Sequence, residues 1–256
     1  MSSEQSLWIG AILGVIAIML AVVGFIGRRR RLAMLDTPTL TCAQAADQIG
    51  ATGAPVVCEV VGTTQPGGQG PLTSPFTKTP CVWFEVEVTR HYRTTTRDSK
   101  GRTRTTSRSE RIEHFRTQHA FGVHDPTGAI VVIPAEAHVD HPHQTLSRRM
   151  GEGAGQAFYH QVTGRHLRGG FRTYAYSFRE TVIPPGRPLY ALGQAHAQGG
   201  GLELRPPAEG PHLISLRGEQ AFAKSMMIRQ YVGFGGTAVC AVAAIAVLLV
   251  GVLVPA

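Results

Sequence analysis

Charge is absent from both ends of this chain and concentrated in its middle. Residues 1–27 carry one charged side chain, Glu4, and residues 232–256 carry none. All 25 Lys and Arg therefore lie within 28–231, with 16 of the 17 acids, a net of +9 there. Leu7 to Gly27 (LWIGAILGVIAIMLAVVGFIG) is 21 apolar residues, about 32 Å of helix and enough for a hydrocarbon core of about 30 Å. Val232 to Val254 is 23 residues, about 35 Å if helical. Neither run has a polar face, so burial as a soluble core helix is disfavoured. The pattern excludes a plain soluble globule, and it excludes a multi-span transporter because only the two ends could cross a bilayer.

Basic residues beside a span stay on the cytoplasmic side. Arg28, Arg29, Arg30 and Arg31 follow the first run, Lys224 and Arg229 precede the second, and the outer flanks hold no Lys or Arg. The positive charge comes after the apolar run, which reads as an uncleaved anchor rather than a signal peptide. The expectation is an integral protein with two spans, in the plasma membrane of a prokaryote. Its middle would be cytoplasmic and both termini outside. Arg28–Arg31 would also attract anionic headgroups, at about 1 kcal/mol per basic residue.

The expected organisation is an anchor at 1–27, a basic linker at 28–40, a β-rich domain at 41–231 and a second span at 232–254. The fold class is mainly β (α+β), a compact antiparallel domain with short helices, flanked by two transmembrane helices. Thr41 to Ile49 reads as a short helix ended by Gly50. Val56 to Gly62 reads as a β-branched strand, and Thr63 to Pro80 as a loop rich in Gly, Pro, Ser and Thr. Cys81 to Tyr92 alternates Val82, Phe84, Val86 and Val88 against Glu85, Glu87, Thr89 and His91, one face buried and one wet. Arg90–Arg116 reads as a long basic hairpin with nine Lys/Arg against three acids. Asp125-Pro126-Thr127-Gly128 is a turn. Short strands are expected at 129–133, 173–183, 188–193, 202–205 and 212–215, with a second helix at 218–227. His138 to Gly170 gives no clear pattern.

Ordered along the chain are SPFTKTPCVWFEVEV (Ser74–Val88), FGVHDPTGAIVVIP (Phe121–Pro134), YSFRETVIPPGRPLYALGQA (Tyr176–Ala195), LELRPP (Leu202–Pro207) and HLISLRGEQAFAKSM (His212–Met226). Between two apolar runs, this series resembles the GIDE domain, also called the beside-a-membrane domain, over about residues 36–254. That domain occurs in the mitochondrial membrane-anchored ubiquitin ligases and in prokaryotic membrane proteins. The ligases carry a RING after the second span, built from several zinc-binding thiolates. Here the sequence stops at Pro255-Ala256, so the expectation is a prokaryotic-type member without the RING, to which ubiquitin transfer does not carry over. In the mitochondrial ligases the domain faces the intermembrane space, whereas the charge flanks here favour the cytoplasm.

Four segments bear on chemistry. His138, Asp140, His141 and His143 are zinc-ligand types, with His141 and His143 on one strand face if the segment is extended. Cys81 opens a strand without the glycines or base of a nucleophile, and reads as a buried structural thiol. Gly151–Gly155 lacks the Lys and preceding strand of a P-loop. The basic hairpin, through Arg93, Arg97, Lys100, Arg102, Arg104, Arg108 and Arg111, suits an anionic surface. Arg93–Arg111 holds no aromatic residue for base stacking, so membrane lipid is expected rather than a specific nucleic acid. The resulting expectation is a non-catalytic recognition or scaffolding protein without a cofactor, working with a membrane-associated protein partner. The alternatives are a ligase-like protein lacking its RING and a metal-dependent hydrolase using His138–His143.

Overall fold

A computed structural model describes residues 37–97, 101–170 and 172–217, with scattered positions between 15 and 25. Contacts divide the chain into two units: Thr39–Ala208 with His212–Leu216, and Met1–Pro38 with Glu209–Pro211 and Arg217–Ala256. In the latter, Val15, Ile18, Met19, Val22 and Phe25 are helical and exposed. Among the described residues no helix is long and apolar enough to cross a membrane. The expected span at 232–254, the helix at 218–227, the Arg28–Arg31 cluster and most of the first span lie outside the described residues.

The folded unit begins with helix α1 (Cys42–Thr52). Thr41 accepts from the Gln44 backbone N–H while the Gln44 side chain accepts from the Thr41 N–H, a reciprocal cap. Two more orphan donors of that end find partners, Cys42 N–H on Asp125 at 2.7 Å and Ala43 N–H on Thr127 at 3.1 Å. The helix runs past Gly50, where it was expected to stop, and ends at Gly53, whose φ of 67° forms the left-handed cap.

The strands are β1 (Val56–Gln65), β2 (Leu72–Thr73), β3 (Pro80–Cys81), β4 (Trp83–Arg97), β5 (Thr103–Arg116), β6 (Phe121–Asp125), β7 (Gly128–Val132), β8 (His138–Asp140) and β9 (His143–Gly151). Helix α2 (Glu152–Thr163) follows, then β10 (Thr173–Ile183), β11 (Pro188–Gln198), β12 (Gly201–Arg205) and β13 (Leu213–Ser215). The β-rich expectation is met. Two pairings are parallel, β7 with β12 and β8 with β13, so the domain is not wholly antiparallel.

One sheet runs β1-β6-β7-β12-β11-β13-β8, and β1 also pairs with β11, so five of its strands close into a barrel-like ring. Closure removes exposed strand edges. Inside lie Cys58, Val60, Phe121, Val123, Ile130, Val132, Ala191 and Leu204, with Ala45 and Ile49 of α1 packed against them. Each large apolar side chain so buried contributes about 1.5–3 kcal/mol. A second sheet, β5-β4-β10-β9, packs Val86, Val88, Tyr176 and Phe178 against Phe76 and against Tyr159 of α2.

Helix α2 falls where the sequence gave no pattern, and Gly153 and Gly155 inside it explain why, since glycine disfavours helix by about 1 kcal/mol each. Packing compensates: a Cβ on Gly155 would sit 2.9 Å from the Tyr176 ring, so only glycine lets the helix approach this closely.

Candidate functional site

The basic hairpin is present as β4 and β5, in register from Glu85–Arg116 to Arg97–Thr103 with a bulge between Val88 and Thr89. β10 accompanies β4 only as far as Tyr92. Beyond it, Thr94–Arg97 and Thr103–Thr106 form a two-stranded arm held by β-branched threonines, and every residue from Thr103 to Arg111 is exposed. Lys100 lies outside the described residues.

Alternation along paired strands sorts the arginines onto two faces. Arg93, Arg97 and Arg111 share one face, and Arg104 and Arg108 share the other. The sequence reading assigned them together to an anionic surface without sorting them by face. On the Arg104 face, Arg90 pairs with Glu110 at 3.0 Å and lies 4.6 Å over the Tyr92 ring.

The Arg93 face continues across the whole four-stranded sheet. Arg111 of β5 lies opposite Thr89 of β4, Thr89 opposite Ser177 of β10, and Ser177 opposite Arg149 of β9. Arg149 donates to the Tyr174 hydroxyl at 3.2 Å, and the Arg93 and Arg149 guanidiniums lie 5.1 and 5.5 Å from the centre of that ring. His91 Nε2 is 2.7 Å from Ser177 Oγ. Burial, and then the nearby Arg149 charge, hold the His91 imidazole below its usual range. A cleft of about 380 Å³ follows this face, lined by Glu87, Thr89, Ser147, Arg149, Ser177 and Arg179 among others. The sequence reading missed Arg149, Arg179 and Tyr174; the Arg148-Arg149 doublet was the available signal.

The other candidates come out differently. The chain turns at His141, whose φ is 53°, between β8 and β9, so His141 and His143 do not share a strand face. Both line a cleft of about 520 Å³, but with Arg187, a cation, where a further ligand would be needed. Asp140 is buried and accepts from Ser215 Oγ at 3.1 Å. Among the described residues, no three His, Cys, Asp or Glu side chains come together to hold a metal. Cys42, Cys58 and Cys81 are buried free thiols. Burial, with neighbouring carboxylates, pushes Cys42 up to about 12 and Cys58 and Cys81 up to about 11. None can supply a thiolate near neutral pH. A groove of about 770 Å³ between α1 and the barrel is lined mainly by Ala, Gly and apolar residues.

Glu180, wholly buried, is held as a structural anion. It accepts from Ser74 Oγ (2.9 Å), Phe76 N–H (2.6 Å), Thr77 N–H (3.2 Å), Thr77 Oγ1 and Thr145 Oγ1 (2.8 Å). This explains the SPFT motif at Ser74–Thr77: it wraps a carboxylate and sends Phe76 into the second core.

No curated protein and no solved structure matches the chain. A family model, GIDE, described as E3 ubiquitin ligase, matches residues 91–251. That span is more than half of the chain and narrower than the resemblance read from the motifs. It contains most of the hairpin, all of β9 and β10, and Arg93, Arg149 and Tyr174. With that match, the chain belongs to the GIDE family.

Proposed function

We propose that this chain is a membrane-tethered recognition or scaffolding protein whose β-rich domain offers an arginine-bearing arm to an anionic lipid surface, without catalysis of its own. The exposed run Thr103–Arg111, free of apolar side chains and with its tip Thr103–Thr106 beyond the reach of β10, carries the reading. Two-stranded hairpins are marginal alone in water, and Arg on both faces suits a phosphate-rich surface more than a protein core. Tethering supports it further, since local concentration strengthens weak contacts. The apolar ends supply the tethers, and the exposed helical positions Ile18, Met19 and Phe25 accord with a lipid-facing segment. On this reading Arg28–Arg31, Lys224 and Arg229 keep the domain on the cytoplasmic side of a prokaryotic plasma membrane, with both termini outside. A membrane-associated protein partner completes the scaffold.

Hydrogen exchange of the full chain in nanodiscs tests the reading. Amides of Thr103–Ser109 are expected to exchange more slowly in phosphatidylglycerol discs than in phosphatidylcholine discs, and replacement of Arg97, Arg104 and Arg108 by Gln should abolish the difference. Equal exchange in both discs refutes lipid contact by the arm.

The family description favours ubiquitin transfer as a second reading. RING-type transfer needs closed zinc sites of several thiolates, and among the described residues no three His, Cys, Asp or Glu side chains come together, with Cys42, Cys58 and Cys81 buried. Ubiquitin conjugates formed by the purified chain with activating and conjugating enzymes would overturn the non-catalytic reading.

A further inference from the structure

The polar face of the four-stranded sheet gathers positive charge toward its Arg93 end, whereas Glu87 lies opposite Arg179 and Glu85 pairs with His114 at the other. Arg149 and Arg93 share one phenol ring, and Arg111 and Arg149 bracket the Thr89 and Ser177 hydroxyls in a single row. Among the described residues no carboxylate lies within ion-pair distance of Arg93, Arg111, Arg149 or Arg179. Glu87 is the one carboxylate lining the cleft, and it accepts from Thr89 Oγ1 at 3.3 Å. Guanidiniums held near one another repel, and an anion between them relieves that cost. The planar fork of Arg matches phosphate oxygens two at a time, and hydroxyls add neutral donors without adding charge.

We propose that this face is a phosphate-binding site, with Arg149 and Arg93 gripping the phosphate oxygens and the Ser177 hydroxyl donating from the floor while its oxygen accepts from His91 Nε2. Tyr174 is a positioning residue, since its ring and hydroxyl hold the two guanidiniums in place. Recognition is of the phosphate group, free or on a lipid headgroup. Only the assignment of a lipid as its source rests on the membrane reading above.

His91 supplies the readout. It faces Ser177 on β10, Tyr174 at 6.2 Å between ring centres, Arg149 on β9 and, in register on β5, Ser109. A phosphate beside Arg149 offsets the charge that disfavours the imidazolium, so binding must raise the pH at which His91 titrates. The full chain in neutral detergent, with labelled histidine, would be titrated by NMR with and without inorganic phosphate, His91 being assigned by loss of its signal in His91→Gln. Phosphate is expected to raise the His91 midpoint. Arg149→Gln should raise it without phosphate and weaken the phosphate response about tenfold, as loss of one charged contact implies. Arg149→Lys, which keeps charge but loses the fork, should respond only in part. Unchanged emission from buried Trp83, in a Trp8→Phe background, would show that the variants are folded. A His91 midpoint indifferent to phosphate, or a full response surviving in Arg149→Gln, overturns the site.

A second arm compares nanodiscs of phosphatidic acid with phosphatidylcholine. A shift of His91 in the former assigns the phosphate to lipid, and a response to inorganic phosphate alone keeps the site but assigns a soluble ligand. The arm-exchange experiment is independent. A silent His91 with lipid-protected arm amides sinks the site alone, and a responsive His91 with an indifferent arm sinks only the lipid role of the hairpin.

Discussion

Glu180→Gln should destabilise the domain at neutral pH and leave it little changed in acid. Four of the five donors converge on Oε1, and the Phe76 N–H alone meets Oε2. An amide oriented with its oxygen at Oε1 keeps four contacts, now to a neutral acceptor, and turns its NH₂ against the Phe76 N–H. The loss is one charge-assisted hydrogen bond, partly offset because no carboxylate need be desolvated, and comes to about 2 kcal/mol. For a chain of this size that is about 4–8 °C in Tm. Burial by itself would raise the Glu180 pKa, but the bonds from Thr77, Phe76, Thr145 and Ser74 outweigh it and hold the carboxyl below its usual range. A carboxyl depressed in the folded state stabilises fully above its unfolded pKa, about 4.3, and loses that contribution as pH falls through the folded value. The gap between wild type and variant should therefore be full at pH 7 and close below about pH 4. Emission of buried Trp83, in a Trp8→Phe background and neutral detergent, follows unfolding at each pH. A variant as stable as wild type at pH 7, or a gap that widens on acidification, would refute the reasoning.

Two further outcomes follow from packing. Gly155→Ala forces a methyl to 2.9 Å from the Tyr176 ring and should cost about 1–3 kcal/mol despite better helix propensity. Gly153→Ala meets nothing within 4 Å and should stabilise by up to about 1 kcal/mol, both read by thermal unfolding. Iodoacetamide at pH 8 should leave Cys42, Cys58 and Cys81 unmodified in the native protein and label all three after denaturation, by peptide mass spectrometry. Rapid native labelling at any of them would contradict its burial.

Where periodicity was strong, the strands were legible. Val86 and Val88 are buried as the alternation requires, and the Asp125-Pro126-Thr127-Gly128 turn joins β6 to β7. The turn has a second task that no local pattern announced, because Asp125 and Thr127 also cap α1, more than eighty residues earlier in the chain. Helix α2 was illegible because Gly153 and Gly155 oppose helix locally, and the close approach of Gly155 to Tyr176 of β10 is a tertiary contact no local pattern shows. The histidine cluster was legible as composition and misleading as geometry, since a left-handed turn at His141 separates its members.

The sequence alone determined the apolar ends, the β-rich middle between them and the existence of a basic hairpin, because each is written in composition or in a period of two. Only the tertiary structure decided which arginines act together. Register and the bulge at Val88/Thr89 send Arg104 and Arg108 one way and Arg93, Arg97 and Arg111 the other. The neighbouring β9 and β10 bring Arg149 and Tyr174 to Arg93 from more than fifty residues away. Strand order and register are fixed by burying two cores at once, and a charge on the wet face follows wherever that burial carries it.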